Sequence, residues 1–236
     1  MTCPSFRMMT WNIAAGHGNL ARIDDEIRMD KPDVVALQEV DVKWSDRSAF
    51  VDQADSLAKS LGMNVRFGPI YDLSGRQFGV AILSRFSIAT STNHEITRLS
   101  TQQQNPVPAK APGFLETVLD IRGTSVRVFS THLDYRSDPA VRVKQVGEML
   151  EIVRQSGMPT ILAGDLNATP EAAELKPLMQ ELHTVSTEMT YPADSPVKRI
   201  DYVLASKPVR LSDPHVHATS ASDHRAVAMT ATVCSK

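Results

Sequence analysis

A chain of 236 residues, 42% hydrophobic and 22% charged, has the make-up of a globular protein able to bury a core without structural metals. Its formal net charge of -2 excludes a globally basic surface of the kind that drives non-specific nucleic-acid binding. No apolar run approaches the roughly 20 residues that span a bilayer, and residues 1–7 lack the charged head and apolar stretch of a secretory leader, so a cytoplasmic location is expected.

Residues 6–13 read as a strand entering a glycine-containing loop at 14–19. Leu20, Ile23 and Ile27 then recur at helical spacing, and Pro32 closes that helix. Residues 34–37 are a short buried strand that delivers Glu39 to its end. Phe50, Ala54, Leu57, Ala58 and Leu61 make a second helical stripe, ended by Gly62. Residues 80–83, 115–121 and 126–129 are further strands, the last two joined at Gly123-Thr124 as a hairpin. Asp138 caps a long helix with Pro139 in its first turn, and Val146, Met149, Leu150 and Val153 supply its buried face. Residues 160–163 form a strand ending at Gly164-Asp165. Leu175, Leu178, Met179 and Leu182 mark a helix around Pro177, and 200–204 and 226–233 are the last strands.

Helices alternate with strands, and neither an internal repeat nor a linker of domain-boundary character interrupts them. The expectation is one domain over residues 1–236, a monomer, with sheets inside and helices outside. Residues 98–112, rich in Gln and Pro, read as a long surface loop. Cys3 and Cys234 lie near opposite ends and are expected as free thiols; a bridge requires that the terminal strands lie side by side.

Short polar motifs stand where the apolar strands end. Asp165 and Asn167 follow one strand, and a carboxylate beside a carboxamide can hold and activate a water; the same residues also make an ordinary turn. Glu39, after Val34-Val35-Ala36-Leu37, is a candidate ligand for Mg²⁺, which prefers oxygen, or simply a solvated strand end. Asn12 after Trp11 has the same two readings. His132 ends another strand. Asp201 and Asp223-His224 each precede one, and a carboxylate on one imidazole nitrogen leaves the other free to donate to a phosphoryl oxygen. Zinc fits poorly, because the cysteines are terminal and no Cys-x-x-Cys or His-Glu-x-x-His is present. A carboxylate-rich set favours a harder ion, Mg²⁺ or Mn²⁺. A Gly-x-Ser-x-Gly elbow and a Walker phosphate loop are both missing.

Thr10-Trp11-Asn12-Ile13, Gln38-Glu39-Val40, Gly79 to Arg85, Ser130-Thr131-His132-Leu133, Gly164-Asp165-Leu166-Asn167 and Ser222-Asp223-His224-Arg225 occur in an order that resembles the endonuclease/exonuclease/phosphatase superfamily, which includes deoxyribonuclease I. The resemblance implies a four-layered α/β sandwich, two mixed sheets face to face with helices outside. It implies Glu39 as metal ligand, with Asn12 orienting the metal site and Asp223 near the metal. Asp165 is then the activator of the attacking water, and Asn167 a contact to the phosphoryl oxygens. His224 pairs with Asp201, and His132 is the second histidine of the deoxyribonuclease and sphingomyelinase branches. The segments from His132 to Arg136 and from Thr190 to Ala193 are similar to those of small bacterial members.

The activity implied is metal-dependent hydrolysis of a phosphoester by a water attacking phosphorus in line. Arg136 is either a phosphate contact or the partner of Asp134 or Asp138. Residues 41–48, 70–78 and 98–112 are expected as loops rimming the site, with Trp44 and Tyr71 available to stack on a base, pack a lipid head group or pack locally. Because basic residues are dispersed and these loops mix charge signs, a small molecule, lipid head group or nucleotide is favoured as substrate over nucleic acid. The remaining alternative is a binding module that keeps the fold without activity.

Overall fold

In the computed structural model, which describes residues 3–234 (for 17 and 18 the backbone alone), the elements run β1 (Ser5–Asn12), α1 (Leu20–Asp30), β2 (Val34–Val42), α2 (Gln53–Leu61), β3 (Asn64–Leu73), β4 (Arg76–Ser84), β5 (Ser87–Arg98), β6 (Ala109–Ile121), β7 (Thr124–His132), α3 (Ala140–Arg154), β8 (Thr160–Asp165), α4 (Lys176–Glu181), β9 (Asp201–Ala205), β10 (Val209–Val216) and β11 (Val227–Val233). Six strands form one sheet in the order β10-β11-β1-β2-β4-β3, and five form another in the order β5-β6-β7-β8-β9. Both are mixed, with β1 parallel to β2 and β7 parallel to β8.

Period-two alternation sorts the side chains of these strands. Met8, Val34, Ala36, Val80 and Ile82 of the first sheet meet Val126, Val128, Ile161, Ala163 and Val203 of the second in the inter-sheet core. Met9, Trp11, Val35 and Leu37 face the other way, under Ile23 and Ile27 of α1 and Leu57 of α2. Phe129, Leu162, Tyr202 and Leu204 do the same beneath Val146, Met149 and Leu150 of α3. Two sheets with helices on both outer faces are the four-layered sandwich expected. No helix of the described residues is long and apolar enough to cross a membrane.

Side-chain acceptors and a left-handed glycine mark the helix ends, and α3 begins one residue later than the sequence suggests, with Pro139 rather than Asp138 at the cap position. Asn19 accepts from Arg22 N at the start of α1, Asp52 accepts from Asp55 N at the start of α2, and Gly62 ends α2 in the left-handed conformation. Asp138 Oδ1 accepts from Ala140 N, with Pro139 leading into α3. Phe50, read as part of the α2 stripe, instead precedes that helix and is 54% exposed.

Several expectations are corrected. Residues 70–78 are not a loop; they are the turning end of the β3–β4 hairpin, with its tip at Ser74-Gly75. Arg98 ends β5 and Ala109 begins β6, so the loop between them is shorter than 98–112. Glu39 lies inside β2 rather than past its end. Cys3 and Cys234 are disulfide-bonded, because the antiparallel register of β1 and β11, with Ser5 opposite Thr232, brings the two chain ends together with their Cα atoms 4.4 Å apart.

Candidate active site

Strand register assembles half of the site. On β7, Val126 and Val128 face the inter-sheet core, so His132 falls on the same side at the strand's end. On β8, Ile161 and Ala163 place Asp165 likewise, and on β9 Val203 and Ala205 do so for Asp201. The pairing sets His132 beside Asp165 and Asp165 beside Asp201. Gly164 allows the close approach: at φ 152°, a Cβ there would lie 2.1 Å from Thr131 O.

The first sheet supplies the opposite wall. Asn12 ends β1 with the parity of Met8. Glu39 needs a different device, since Leu37 and Val40 both face the helices and simple alternation cannot give that. The register breaks between Leu37 and Val40, and Glu39 takes a left-handed φ of 52° at that irregularity. A bulge re-aims one side chain without ending the strand. Glu39 is thereby half-buried and faces the cavity.

Asn12 ties the two walls together. Its Oδ1 accepts from Ala14 N at 3.0 Å, which turns Nδ2 toward the carboxylates, where it donates to Glu39 Oε1 at 3.0 Å and to Asp165 Oδ2 at 3.1 Å. The oxygen that a metal would use therefore faces the backbone, and Asn12 acts on Glu39 by hydrogen bonding. Asp165 Oδ1 accepts from Asn167 N at 2.8 Å, with Asn167 in a left-handed turn at φ 49° and its Nδ2 donating to Leu133 O at 3.0 Å.

Two imidazoles converge on the remaining oxygen of Asp165. His132 Nε2 lies 3.6 Å and His224 Nε2 3.7 Å from Asp165 Oδ2, and His132 Nε2 is 3.9 Å from Glu39 Oε1. His224 Nδ1 lies 3.0 Å from Asp201 Oδ2, which also accepts from the Thr190 hydroxyl at 2.6 Å. The backbone of His224 is fixed as well: Trp11 Nε1 donates to its carbonyl at 2.9 Å, and Ser222 Oγ accepts from its N–H while donating to Asn12 O. Tyr191 packs its ring on the imidazole, 4.7 Å between centroids.

Burial and the Asp201 carboxylate raise the Asp165 carboxyl to about 6, against the lowering influence of both histidines and of the Asn167 N–H. Burial works against a charged His224, yet Asp201 outweighs it, by charge and by hydrogen bond, and lifts the imidazole to about 9. The site therefore holds a carboxyl group raised above the ordinary carboxylate range beside an imidazole raised above its own.

Glu39, His132, Asp165, Asn167 and His224 line a cavity of about 540 Å³ together with Tyr135, Arg142, Glu174, Tyr191, Lys198 and the exposed Asp223, while Asn12 and Asp201 lie behind them. Arg142 and Glu174, a buried ion pair at 2.9 Å, form part of its wall. Neither they nor Thr190, Tyr191 and Lys198 stand out in the sequence as site residues; Arg142 sits on the α3 face read as helical core, the likeness of residues 190–193 to bacterial relatives covers only Thr190 and Tyr191, and nothing local marks Glu174 or Lys198. Arg136, a candidate phosphate contact, instead pairs with Asp134 and donates to Leu99 O and Ser100 O, outside this cavity. Trp44, Tyr71 and Phe78 pack on one another, with ring centroids 5.9–6.5 Å apart.

Asp165, Asp201 and His224 have ligand atoms within 4.8 Å of one another, close enough for a metal. The Asp201 oxygens, however, are engaged by His224 and Thr190, which makes the group a hydrogen-bonded relay. Glu39 and Asp223 each face the cavity with one carboxylate oxygen engaged, by Asn12 and Ser222, and the other left to a ligand, and no thiol is among the lining residues. Hard oxygen donors of this kind fit Mg²⁺ or Mn²⁺.

Solved structures share this architecture. An endonuclease/exonuclease/phosphatase from Beutenbergia cavernae superposes with a TM-score of 0.74 at 22% identity, over 98% of this chain and 72% of that one. The catalytic domain of human nocturnin with bound sulfate gives 0.75 at 20%, over 98% and 94%. A mannosyl-6-phosphatase from Bacteroides thetaiotaomicron gives 0.70 at 17%, over 96% and 99%. No curated protein matches by sequence. The model of the Endonuclease/Exonuclease/phosphatase family matches residues 9–224, from the strand that carries Asn12 to His224 itself, and the chain belongs to that family.

Proposed function

We propose that the protein is a Mg²⁺-dependent phosphoester hydrolase acting on a compact substrate. The observation that carries this reading is the convergence of His132 and His224 on one oxygen of Asp165, with Glu39 on the facing wall. Glu39 and Asp223 are the residues that would hold the ion. When bound, it supplies positive charge beside the phosphoryl and leaving oxygens. Asp165, with one oxygen fixed by Asn167, accepts the proton of the attacking water as the new oxygen–phosphorus bond forms and the ester bond opposite it breaks. His224, held protonated by Asp201, donates from Nε2 to a phosphoryl oxygen, and His132 donates from the strand beside that of Asp165. Asn12 keeps Glu39 and Asp165 in register across the sandwich.

A compact substrate is favoured over nucleic acid by the charge of the cavity. Its wall carries the carboxylates of Glu39, Asp165, Glu174 and Asp223 against the cations Arg142, Lys198 and the protonated His224, and Arg142 is engaged by Glu174. A polyanion needs many cationic contacts to be held at physiological salt. The Cys3–Cys234 bridge supports an oxidising compartment rather than the cytoplasm expected from the sequence.

The test is a panel of phosphomonoesters and phosphodiesters assayed with and without Mg²⁺, beside plasmid DNA. Mg²⁺-dependent release from a small ester, lost in Asp165→Asn, is the expected result. Faster cleavage of plasmid DNA at physiological salt, equally lost in that variant, would establish the nuclease reading instead. Absence of turnover together with absence of divalent-ion binding by calorimetry would make the protein a binding module.

A further inference from the structure

The cavity over Asp165 continues. A second one of about 300 Å³, lined by Thr169, Pro170, Glu171, Thr187, Met189, Val197, Lys198 and Arg199, shares Thr169 and Lys198 with it. Lys198 therefore stands where the two meet. Among the residues lining the first cavity, the two permanent cations have opposite situations. Arg142 is buried, bound to Glu174, and donates to Asp134 O and Arg136 O. Lys198 is exposed and enters no ion pair among the described residues.

The backbone of Lys198 is placed firmly. Its N–H donates to Tyr191 O at 2.9 Å, and its carbonyl accepts from Thr190 N at 2.7 Å and Tyr191 N at 3.0 Å. The same segment supports the catalytic imidazole, through Thr190 on Asp201 and the Tyr191 ring on His224. The unpaired ammonium is thus anchored by its main chain to the frame that fixes His224. Beyond it the second cavity is bordered by exposed apolar groups, with Met189 46% and Val197 68% exposed.

We propose that Lys198 is the residue that selects the leaving group: the substrate carries a second anionic group, beside the scissile phosphate, that Lys198 binds while the rest of the leaving group lies in the second cavity. This rests on the hydrolase reading and adds to it the chemical class of the leaving group. A carboxylate or a phosphate satisfies an ammonium equally as a point charge. A neutral leaving group leaves the cation without a partner and gains nothing from it.

The probes are phenyl phosphate and its methyl diester, each compared with its 2-, 3- and 4-carboxyphenyl counterparts, which carry the second anion at different reaches. Wild-type protein with Mg²⁺ should favour at least one carboxylated ester by about tenfold in kcat/KM, the scale of one hydrogen bond to a charged group. Added salt should shrink the preference, as for a partly exposed charge pair. Lys198→Ala and Lys198→Gln should bring the ratio of carboxylated to plain ester to about one, and Lys198→Arg should preserve it. Equal rates for every pair in the wild type, or a preference that survives in Lys198→Ala, overturns the assignment and leaves the hydrolase reading standing. Absence of turnover on all of the esters, plain ones included, overturns the assignment, and the hydrolase reading falls with it when calorimetry also finds no divalent-ion binding.

Discussion

The Thr190 hydroxyl donates a 2.6 Å hydrogen bond to Asp201 Oδ2, the same oxygen that lies 3.0 Å from His224 Nδ1. A buried carboxylate so engaged has its orientation fixed, and besides its charge effect on Asp165 its proposed part in the reaction is played through the imidazole it charges. Removing either partner should then cost nearly as much as removing both. A double-mutant cycle of Asp201→Asn and His224→Ala on turnover tests this, and independent, additive losses would show that the two do not act as a unit.

Asp165→Asn preserves the shape of the side chain and removes the carboxylate proposed as proton acceptor. Turnover should fall by about a hundredfold to ten-thousandfold, the usual scale for a general base, while the thermal unfolding profile stays cooperative. Retention of more than about a tenth of the wild-type rate would assign the proton to another group.

Glu39→Gln withdraws one anionic oxygen from the cavity while an amide still fills the space beside Asn12. The expected change is a shift of the Mg²⁺ titration of activity to higher concentration, with a smaller effect at saturation. Coincident titrations of variant and wild type would take Glu39 out of contact with the ion.

Glu116 makes a prediction about stability rather than turnover. Burial opposes its charge, but His94 and Arg127, at 2.7 and 2.6 Å, hold the carboxyl down at about 2. A folded-state value below the ordinary one of about 4.3 contributes stability that is complete above that pH and is lost as pH falls through the folded value. Glu116→Gln should therefore unfold at lower temperature than the wild type at pH 7, and the gap should narrow between about pH 4.3 and pH 2. A gap independent of pH would trace the loss to packing.

The Cys3–Cys234 bridge closes nearly the whole chain into a loop. Its reduction, or Cys3→Ser with Cys234→Ser, should lower stability by about 2–4 kcal/mol. Thermal unfolding with and without reductant measures the loss, and thiol titration of the native protein should find no free sulfhydryl.

The buried strands were legible in the sequence because burial on both faces leaves a continuous apolar run, and the polar residue that ends such a run stands out as a candidate for the site. Residues 34–37, 126–129 and 160–163 announced themselves in this way, and so did His132 and Asp165 behind them. Strands β3, β5 and β10 did not, and each is a sheet edge. An edge strand needs neither two apolar faces nor an unbroken ladder, so β5 is largely polar, and β3 and β10 carry Pro69 and Pro214 at their register breaks. Tertiary structure alone decided what depends on distant segments meeting. Glu39 reaches the site through a bulge that no local pattern announces, and the terminal cysteines bond because β1 and β11 are neighbours. Lys198 stands at the mouth of the cavity because Thr190 and Tyr191 pair with it, a relation between backbone groups in which its side chain takes no part. Sequence determined which groups could do chemistry, since side-chain type and strand period are local properties; which of them share one cavity was set by sheet register and by the packing of one sheet on the other.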